Sequence, residues 1–529
     1  IAAGETAAQI VEKAKAEGTG YKASVEQMYY GNQQFLFVYE QFDDVRLVAA
    51  PPSSIGKFGG DTDNWIWPRH TGDFSMFRVY ASKDNRPAAY SPQNVPYRPK
   101  KHFSISTKGV KEGDFTMIYG FPGNTQEYIL SDAVAYIAER SDPAKIAIRT
   151  GRLDIITKAQ ESDPALRIHY AAKHASIANA WKKWQGEALG IDRRGTVAAK
   201  FDYETQFGLW SVGRPEYAGV VMGLRVEYDR IMDAYFAYEI TRETLSTLPA
   251  AYTPEERAEE CFARRKFAEQ ALWRHAFREY GRCPKVYRTP SYAEGMARYK
   301  SPEAYADALF EAVWEGSDSV AMRPAVRLRE ETKRMLDHIS WMLGTKSLRN
   351  LNSKILNELY TTYIKGLREW DRERAFYPDA NLTLRVAYGS VAGYEYADGE
   401  YHKPQTTLDG IIAKDNPEIY DYDIPQSLRD LYASKNYGRW GTVIDGRRTV
   451  PVCFLATNHT TGGNSGSPVL NAGGELIGIN FDRTWRSTMS DIAFDPAICR
   501  NIAVDIRYVL FVVDRIGGAG YLLKEMTLK

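Results

Sequence analysis

Apolar residues between positions 21 and 125 fall in short alternating or continuous runs: FLFVYE (35–40), VRLVAA (45–50), SMFRVYA (75–81), HFSIS (102–106) and FTMIYGFPG (115–123), preceded by Tyr29 and Tyr30. Gly, Pro, Asn and Asp separate them. Successive side chains on a strand face opposite sides, so these runs predict short strands joined by turns, at the spacing of a small barrel or sandwich. From about 126 to 375 the period changes. In VRLREETKRMLDHISWMLGTKSLRNLNSKILNELYTTYIKGLREW (326–370), Leu328, Met335, Ile339, Leu343 and Leu348 recur near three- and four-residue steps. That rhythm puts them on one face of a helix. Beyond about 376 the strand pattern returns in LTLRVAYGSVAGYEY, PVCFLATN, SPVLNAGGELIGINFD and RNIAVDIRYVLFVVDRI. The order is β, then α, then β, over 1–125, 126–375 and 376–529, with no internal repeat.

Length and composition narrow the function classes. At 529 residues the chain exceeds one ordinary core. Lys and Arg number 68 against 67 Asp and Glu, so no sign dominates, which argues against nucleic acid or acidic lipid as a partner. No apolar run approaches the ~20 residues that span a bilayer. The four cysteines (Cys261, Cys283, Cys453, Cys499) show no CxxC spacing, and neither HExxH nor a GxGxxG after a strand occurs. No metal and no organic cofactor is expected. The chain opens at Ile1 with a helix-like stretch, ETAAQIVEKAKAEG, and no signal-peptide pattern. The expectation is a processed start or a missing N-terminal piece, with any secretion signal lost there.

Chemistry concentrates in two segments. The first is Thr460-Thr461-Gly462-Gly463-Asn464-Ser465-Gly466-Ser467-Pro468, between an apolar strand and the hairpin PVLN-AGG-ELIGINF. Glycines around one serine let the backbone turn sharply, exposing the hydroxyl and aiming the Gly463 and Ser465 N–H groups outward as an oxyanion hole. The elbow of α/β-hydrolases needs GxSxG between a strand and a helix; here a strand follows, which favours a chymotrypsin-type barrel. The competing reading is a plain glycine-rich hairpin loop. The second segment is GGDTDNWIWPRHTGDF (59–74). A serine nucleophile needs a base, and the base needs a carboxylate to fix its tautomer. Asp73, just before a strand, fits that place, with Asp61 and Asp63 as rivals better suited to forming turns. His70 reads as a structural loop residue.

Taken together, GGDTDNWIWPRHTGDFSMFRVYA, MIYGFPGNTQEYI, TTGGNSGSPVLN, NFDRTW and VDIRYVLFVVDRIGG resemble the bacterial serine dipeptidyl-peptidases of peptidase family forty-six, most of all their acidic-specific branch, over most of the chain. The resemblance implies a chymotrypsin-like double β-barrel with an inserted all-helical domain: 1–125 the remainder of the N-terminal barrel, 126–375 the helical domain, 376–529 the C-terminal barrel with the nucleophile. It also implies Ser465 as nucleophile and Asp73 as orienting carboxylate. Asn64, Trp65, Asp482 and, on the helical domain, Asn179 then hold the free N-terminus of an oligopeptide. A carboxylate and amide oxygens suit an ammonium group. Arg483, eighteen positions after Ser465, stands where the acidic-specific branch carries Arg, and selects Asp or Glu as the second residue. The family's base lies in a His-His-Cys-Gly stretch, and none of the eight histidines here stands in one. His459 reads as a loop or supporting residue, and the chain as given as an inactive fragment of a serine exopeptidase. Two alternatives stay open: a dipeptidyl-peptidase preferring apolar second residues, and a peptide-binding protein without catalysis on the same scaffold. A homodimer and a periplasmic or cell-surface location are further implications of the resemblance.

Overall fold

Two strands buried along their whole length, Pro451–Ala456 and Asn501–Asp505, lie side by side inside the sheet that carries the serine loop. PVCFLA is apolar throughout, and the polar ends of NIAVD are used inside: Asn501 donates to Asn480 Oδ1 and Asp505 caps the helix that follows. In the computed structural model, which describes residues 6–16, 21–316, 319–344 and 351–529, this sheet has seven antiparallel strands. In spatial order they are Gln405–Thr407, Pro451–Ala456, Asn501–Asp505, Leu476–Arg483, Ser467–Leu470, Phe115–Gly120 and Arg385–Ser390. Register Ser467↔Asn480 starts the hairpin immediately after the serine loop. Beyond the last strand, Val391 forms an isolated bridge to Ala456, and Thr457 N donates to Ser390 O at 2.9 Å.

The strand Phe115–Gly120 belongs to the first stretch of the sequence, yet it pairs with Ser467–Leu470 on one side and Arg385–Ser390 on the other. The first and last stretches thus share one compact unit, Ile1–Tyr128 with Tyr377–Lys529, and Ile129–Phe376 forms a second. The first unit also holds the hairpin Tyr21–Met28/Gln33–Glu40 and the three-stranded sheet Val45–Ala49, Met76–Ala81, Val95–Pro96. Its core gathers Trp440, Tyr437, Tyr508, Phe511, Val452 and Leu455, all fully buried or nearly so. Phe511, Val452 and Leu455 each contribute about 1.5–3 kcal/mol on burial; the buried hydroxyls of Tyr437 and Tyr508 have no hydrogen-bond partner among the described residues, which offsets part of their gain. The Trp440 indole N–H is satisfied by Asp514 at 2.9 Å.

Three local expectations change. Tyr29 and Tyr30 are not in a strand; both have positive φ and turn the first hairpin. HFSIS forms no strand, and Ile105 alone bridges Leu476 and Leu528. In RNIAVDIRYVLFVVDRI the strand stops at Asp505, and a helix, Ile506–Phe511, follows. Asp505 caps it by accepting from Arg507 N at 2.9 Å and pairs with the Arg507 guanidinium at 2.7 Å. Every residue of that helix is buried, so no period betrays it.

The second unit is helical. Its longer helices include Asp142–Ser162, Pro164–Arg193, Val220–Glu243, Lys266–Tyr280, Ser319–Met342 and Lys354–Trp370. Asp163 caps the second of these through Ala165 N at 2.7 Å, with Pro164 at the first helical position, where no N–H is needed. Leu328, Ile339 and Leu343 are buried, Met335 is half-buried, and Leu348 lies outside the described residues. The molecule is therefore a mixed α and β structure.

Candidate active site

Ser465 is exposed, and its Oγ donates to Phe481 O at 3.2 Å. The loop around it is tied down residue by residue. Asn464 is buried; its Oδ1 accepts from Thr461 N at 3.0 Å, and its own N–H donates to Thr461 O at 3.1 Å. Gly466 N donates to Asn480 O at 2.8 Å and Ser467 N to Asn464 O at 3.0 Å. Asn501 Nδ2 donates to Asn480 Oδ1 at 2.9 Å, and Asn480 Nδ2 to Asn464 O at 3.2 Å. Among the described residues, the N–H groups of Gly463 and Ser465 have no acceptor. Gly463 has φ +107°, and a Cβ there would collide with Phe121 O, so only glycine fits. Neither amide expected to form an oxyanion hole is spent inside the loop, and the Gly462 N–H is likewise without an acceptor among the described residues.

Phe481 leads directly into Asp482 and Arg483, at the end of the strand Leu476–Arg483. Asp482 is nearly buried and heavily used. One oxygen accepts from Arg69 Nη1 at 2.7 Å and Trp65 N at 3.3 Å, the other from Arg483 N at 2.8 Å. Arg69 is itself buried and also donates to Thr71 Oγ1 at 2.7 Å and Asp63 O at 2.9 Å. Trp65, at φ +69°, is thus held against Asp482, with Asn64 beside it in the chain. The carboxylate expected to bind an amine already has a cation beside it. A neutral group in place of that amine therefore loses a hydrogen bond but does not orphan a charge.

Asp73 precedes the strand Met76–Ala81 and reaches solvent. Loss of solvation around its carboxyl raises its pKa above the usual value; nearby Arg69 lowers it and Asp482 raises it again. Asp63 does not compete for the role: it is buried, paired with Lys414 at 2.7 Å and bonded by the Tyr422 hydroxyl at 3.0 Å.

Arg483 is buried, and its guanidinium grips Asp491 with Nη1 at 2.6 Å and Nη2 at 2.8 Å. Nη1 also donates to Ser490 Oγ at 2.8 Å and Thr460 O at 3.3 Å, and the Trp65 ring lies 5.6 Å away. The expected cation of the pocket is thus half of an ion pair.

Of the four histidines in this unit, none is bonded to Ser465 or Asp73 among the described residues. His459 Nε2 meets Ser490 O at 2.9 Å and Nδ1 meets Glu127 at 3.4 Å, with the ring stacked on Phe494. Burial pushes its pKa down to about 4. His70 is buried against Gly410; burial first, then Lys414 and Arg69, pushes its pKa down to about 3. His102 meets Thr527 and His402 meets Glu400. Asn179 lies in the other unit, exposed on the helix Pro164–Arg193.

One group among the described residues has the donor types of a metal site: His169, Glu259 and Cys261, in the helical unit. Arg265 Nη1 already sits 2.6 Å from His169 Nε2 and 3.1 Å from Glu259, so a cation fills the place. Sequence reasoning missed Arg69, Asp491 and the brace Asn464–Asn480–Asn501. The available signal was Asn464 beside the serine and Asn480 on the strand that pairs with Ser467, which composition alone does not single out.

A family model described as Peptidase S46 matches residues 1–254 and 253–528. An Asp/Glu-specific dipeptidyl-peptidase of Capnocytophaga gingivalis is 43% identical over 551 residues, covering 96% of this chain and 76% of the relative. Dipeptidyl-peptidase 7 of Phocaeicola vulgatus is 35% identical over 550 residues, covering 96% and 76%. The crystal structure of Porphyromonas endodontalis DPP11 in complex with the dipeptide Arg-Glu superposes with a TM-score of 0.83 at 34% identity, covering 99% of this chain and 81% of that one. The serine loop, the Asp482–Arg69 cluster and matches of this extent agree: the chain belongs to the peptidase S46 family.

Proposed function

We propose that the chain is a serine exopeptidase that releases dipeptides from the free N-terminus of peptides and prefers Asp or Glu as the second residue. One observation carries the reading. Ser465 Oγ is exposed on a loop with two unused amides and touches Phe481 O, the residue before Asp482 and Arg483. A nucleophile, an oxyanion hole, an amine-binding carboxylate and a carboxylate-binding cation are thus contiguous. Relatives whose names state Asp/Glu specificity support the acidic preference.

In this mechanism Ser465 Oγ attacks the carbonyl of the second residue; its proton passes to a general base oriented by Asp73 and from there to the leaving amine as the peptide bond breaks. The developing oxyanion takes the N–H groups of Gly463 and Ser465. Collapse releases the shortened peptide, and water repeats the cycle on the acyl-enzyme. Trp65, Asn64 and Asp482 fix the ammonium two residues before the bond. We read the seven-stranded sheet as the second barrel of a chymotrypsin-like pair and the three-stranded sheet as part of the first. The bridge from Val391 to Ala456 supports closure. A homodimer and a periplasmic or cell-surface location complete the proposal, on family membership alone.

The second reading, preference for an apolar second residue, has one observation in its favour: Asp491 neutralises Arg483. The test of the main reading is Ser465→Ala in the full-length protein. Hydrolysis should fall by several orders of magnitude with thermal stability unchanged; retained turnover would move the nucleophile elsewhere.

A further inference from the structure

The oxyanion amides act only if their peptide planes face the substrate, and a flanking segment sets one of those planes. After the strand Phe115–Gly120 the chain runs Phe121-Pro122-Gly123 alongside the serine loop. Gly123 N donates to Gly462 O at 2.6 Å. In a planar trans peptide, the carbonyl of Gly462 and the N–H of Gly463 point in opposite directions. A bond that pulls Gly462 O toward Gly123 therefore turns the Gly463 N–H away from it, to the side where it has no acceptor among the described residues. Phe121 O closes the other approach to Gly463, against the place a Cβ would occupy.

Resting on the serine-peptidase reading, we propose that Gly123 is a positioning residue that sets the oxyanion hole by holding Gly462 O. The site also explains why this residue is glycine. Gly123 does not have positive φ, so its backbone conformation does not demand glycine. Its space does: a Cβ would stand 2.6 Å from Gly462 O. Gly123→Ala keeps the N–H but pushes the carbonyl it holds.

The test is Gly123→Ala in the full-length protein, with hydrolysis of a dipeptide-releasing substrate, inhibition by the neutral dipeptide amide, and inhibition by a dipeptide boronic acid whose oxygen mimics the oxyanion. The expected result is a kcat loss of about ten- to a hundredfold, somewhat less than deletion of a whole donor costs. KM and dipeptide-amide inhibition should stay within about twofold, and boronate affinity should fall by the same factor as kcat/KM. A role confined to folding would lower the melting temperature and leave this split absent. Pro122→Ala, which frees the turn without adding atoms against Gly462 O, should show the same split at a few-fold scale. Equal losses in boronate and dipeptide-amide affinity in both variants would overturn the proposal. A wild-type protein that hydrolyses no peptide would instead sink the peptidase reading.

Discussion

Replacing Arg483 by glycine has two separable consequences, because Arg483 is one half of a buried pair. The side chains of Arg483 and Asp491 are 5% and 13% exposed and meet at 2.6 Å. Removing one partner of such a pair costs about 3–5 kcal/mol, since the other charge stays behind. The first consequence is thus a clear drop in melting temperature. The second is in the pocket. A substrate carboxylate loses a charge-assisted hydrogen bond of ~1.5–3 kcal/mol. It also meets the Asp491 carboxylate without its cation, a repulsion of order 1–3 kcal/mol at the dielectric of a partly exposed site. The sum predicts a fall in kcat/KM of at least about a hundredfold for peptides with Asp or Glu in second place. The double variant Arg483→Gly/Asp491→Asn removes the repulsion. It should recover about tenfold on acidic peptides, regain most of the lost stability, and admit Leu and Phe. The assay is kcat/KM on matched peptides carrying Asp, Glu, Leu or Phe as second residue, with melting curves alongside. Equal losses in the single and double variants would show that Asp491 does not face the substrate. Retained acidic preference in both would remove Arg483 from the pocket.

Three more outcomes follow from the same geometry. Asp73→Asn should lower kcat by up to about 10⁴, as loss of the orienting carboxylate does in serine proteases, with an unchanged melting temperature; full activity would pass the role to another acid. Acetylating the substrate's amine should cost about ten- to a hundredfold in kcat/KM, the scale of one charge-assisted bond, because Arg69 still compensates Asp482. Equal cleavage of blocked and free peptides would refute amine recognition. His70 and His459 are held neutral, at about 3 and about 4, and in the unfolded chain both take up protons below about 6.5. Stability is therefore full above that pH and is lost as pH falls toward the folded values, by up to about 1.4 kcal/mol per pH unit for each histidine. Denaturant unfolding between pH 7.5 and 4.5 measures it. His70→Gln should remove one proton from the slope, and an unchanged slope would contradict the assignment.

What the sequence made legible was local. Ser465 stands out because glycines flank it and a hairpin follows, and Asp73 because a strand begins just after it. The helix Ile506–Phe511 was illegible because burial on every side removes the 3.6-residue rhythm that marks a surface helix. The strand Phe115–Gly120 reads as a strand, but nothing local says that its neighbours are Ser467–Leu470 and Arg385–Ser390. The same holds for charge. Arg69 and Asp482 are 413 positions apart, and their bond exists only once the sheet has formed. Arg483 and Asp491 are near in sequence, yet only the turn after the strand, through Ser490, brings their side chains face to face. Partners that rewrite a site's electrostatics are set by tertiary structure, and a motif names only one member of each pair.

The central claim is that a free amine and an acidic second residue together direct cleavage by Ser465. Mass spectrometry of the products formed by the full-length protein from one peptide series tests both conditions at once. The series varies the second residue among Asp, Glu, Leu and Phe, each with the amine free or acetylated. The account predicts intact dipeptides released in succession from free-amine peptides with Asp or Glu in second place, little product from the Leu and Phe peptides, and little from any acetylated one. Internal cleavage, single amino acids as first products, or faster release with Leu or Phe would contradict it.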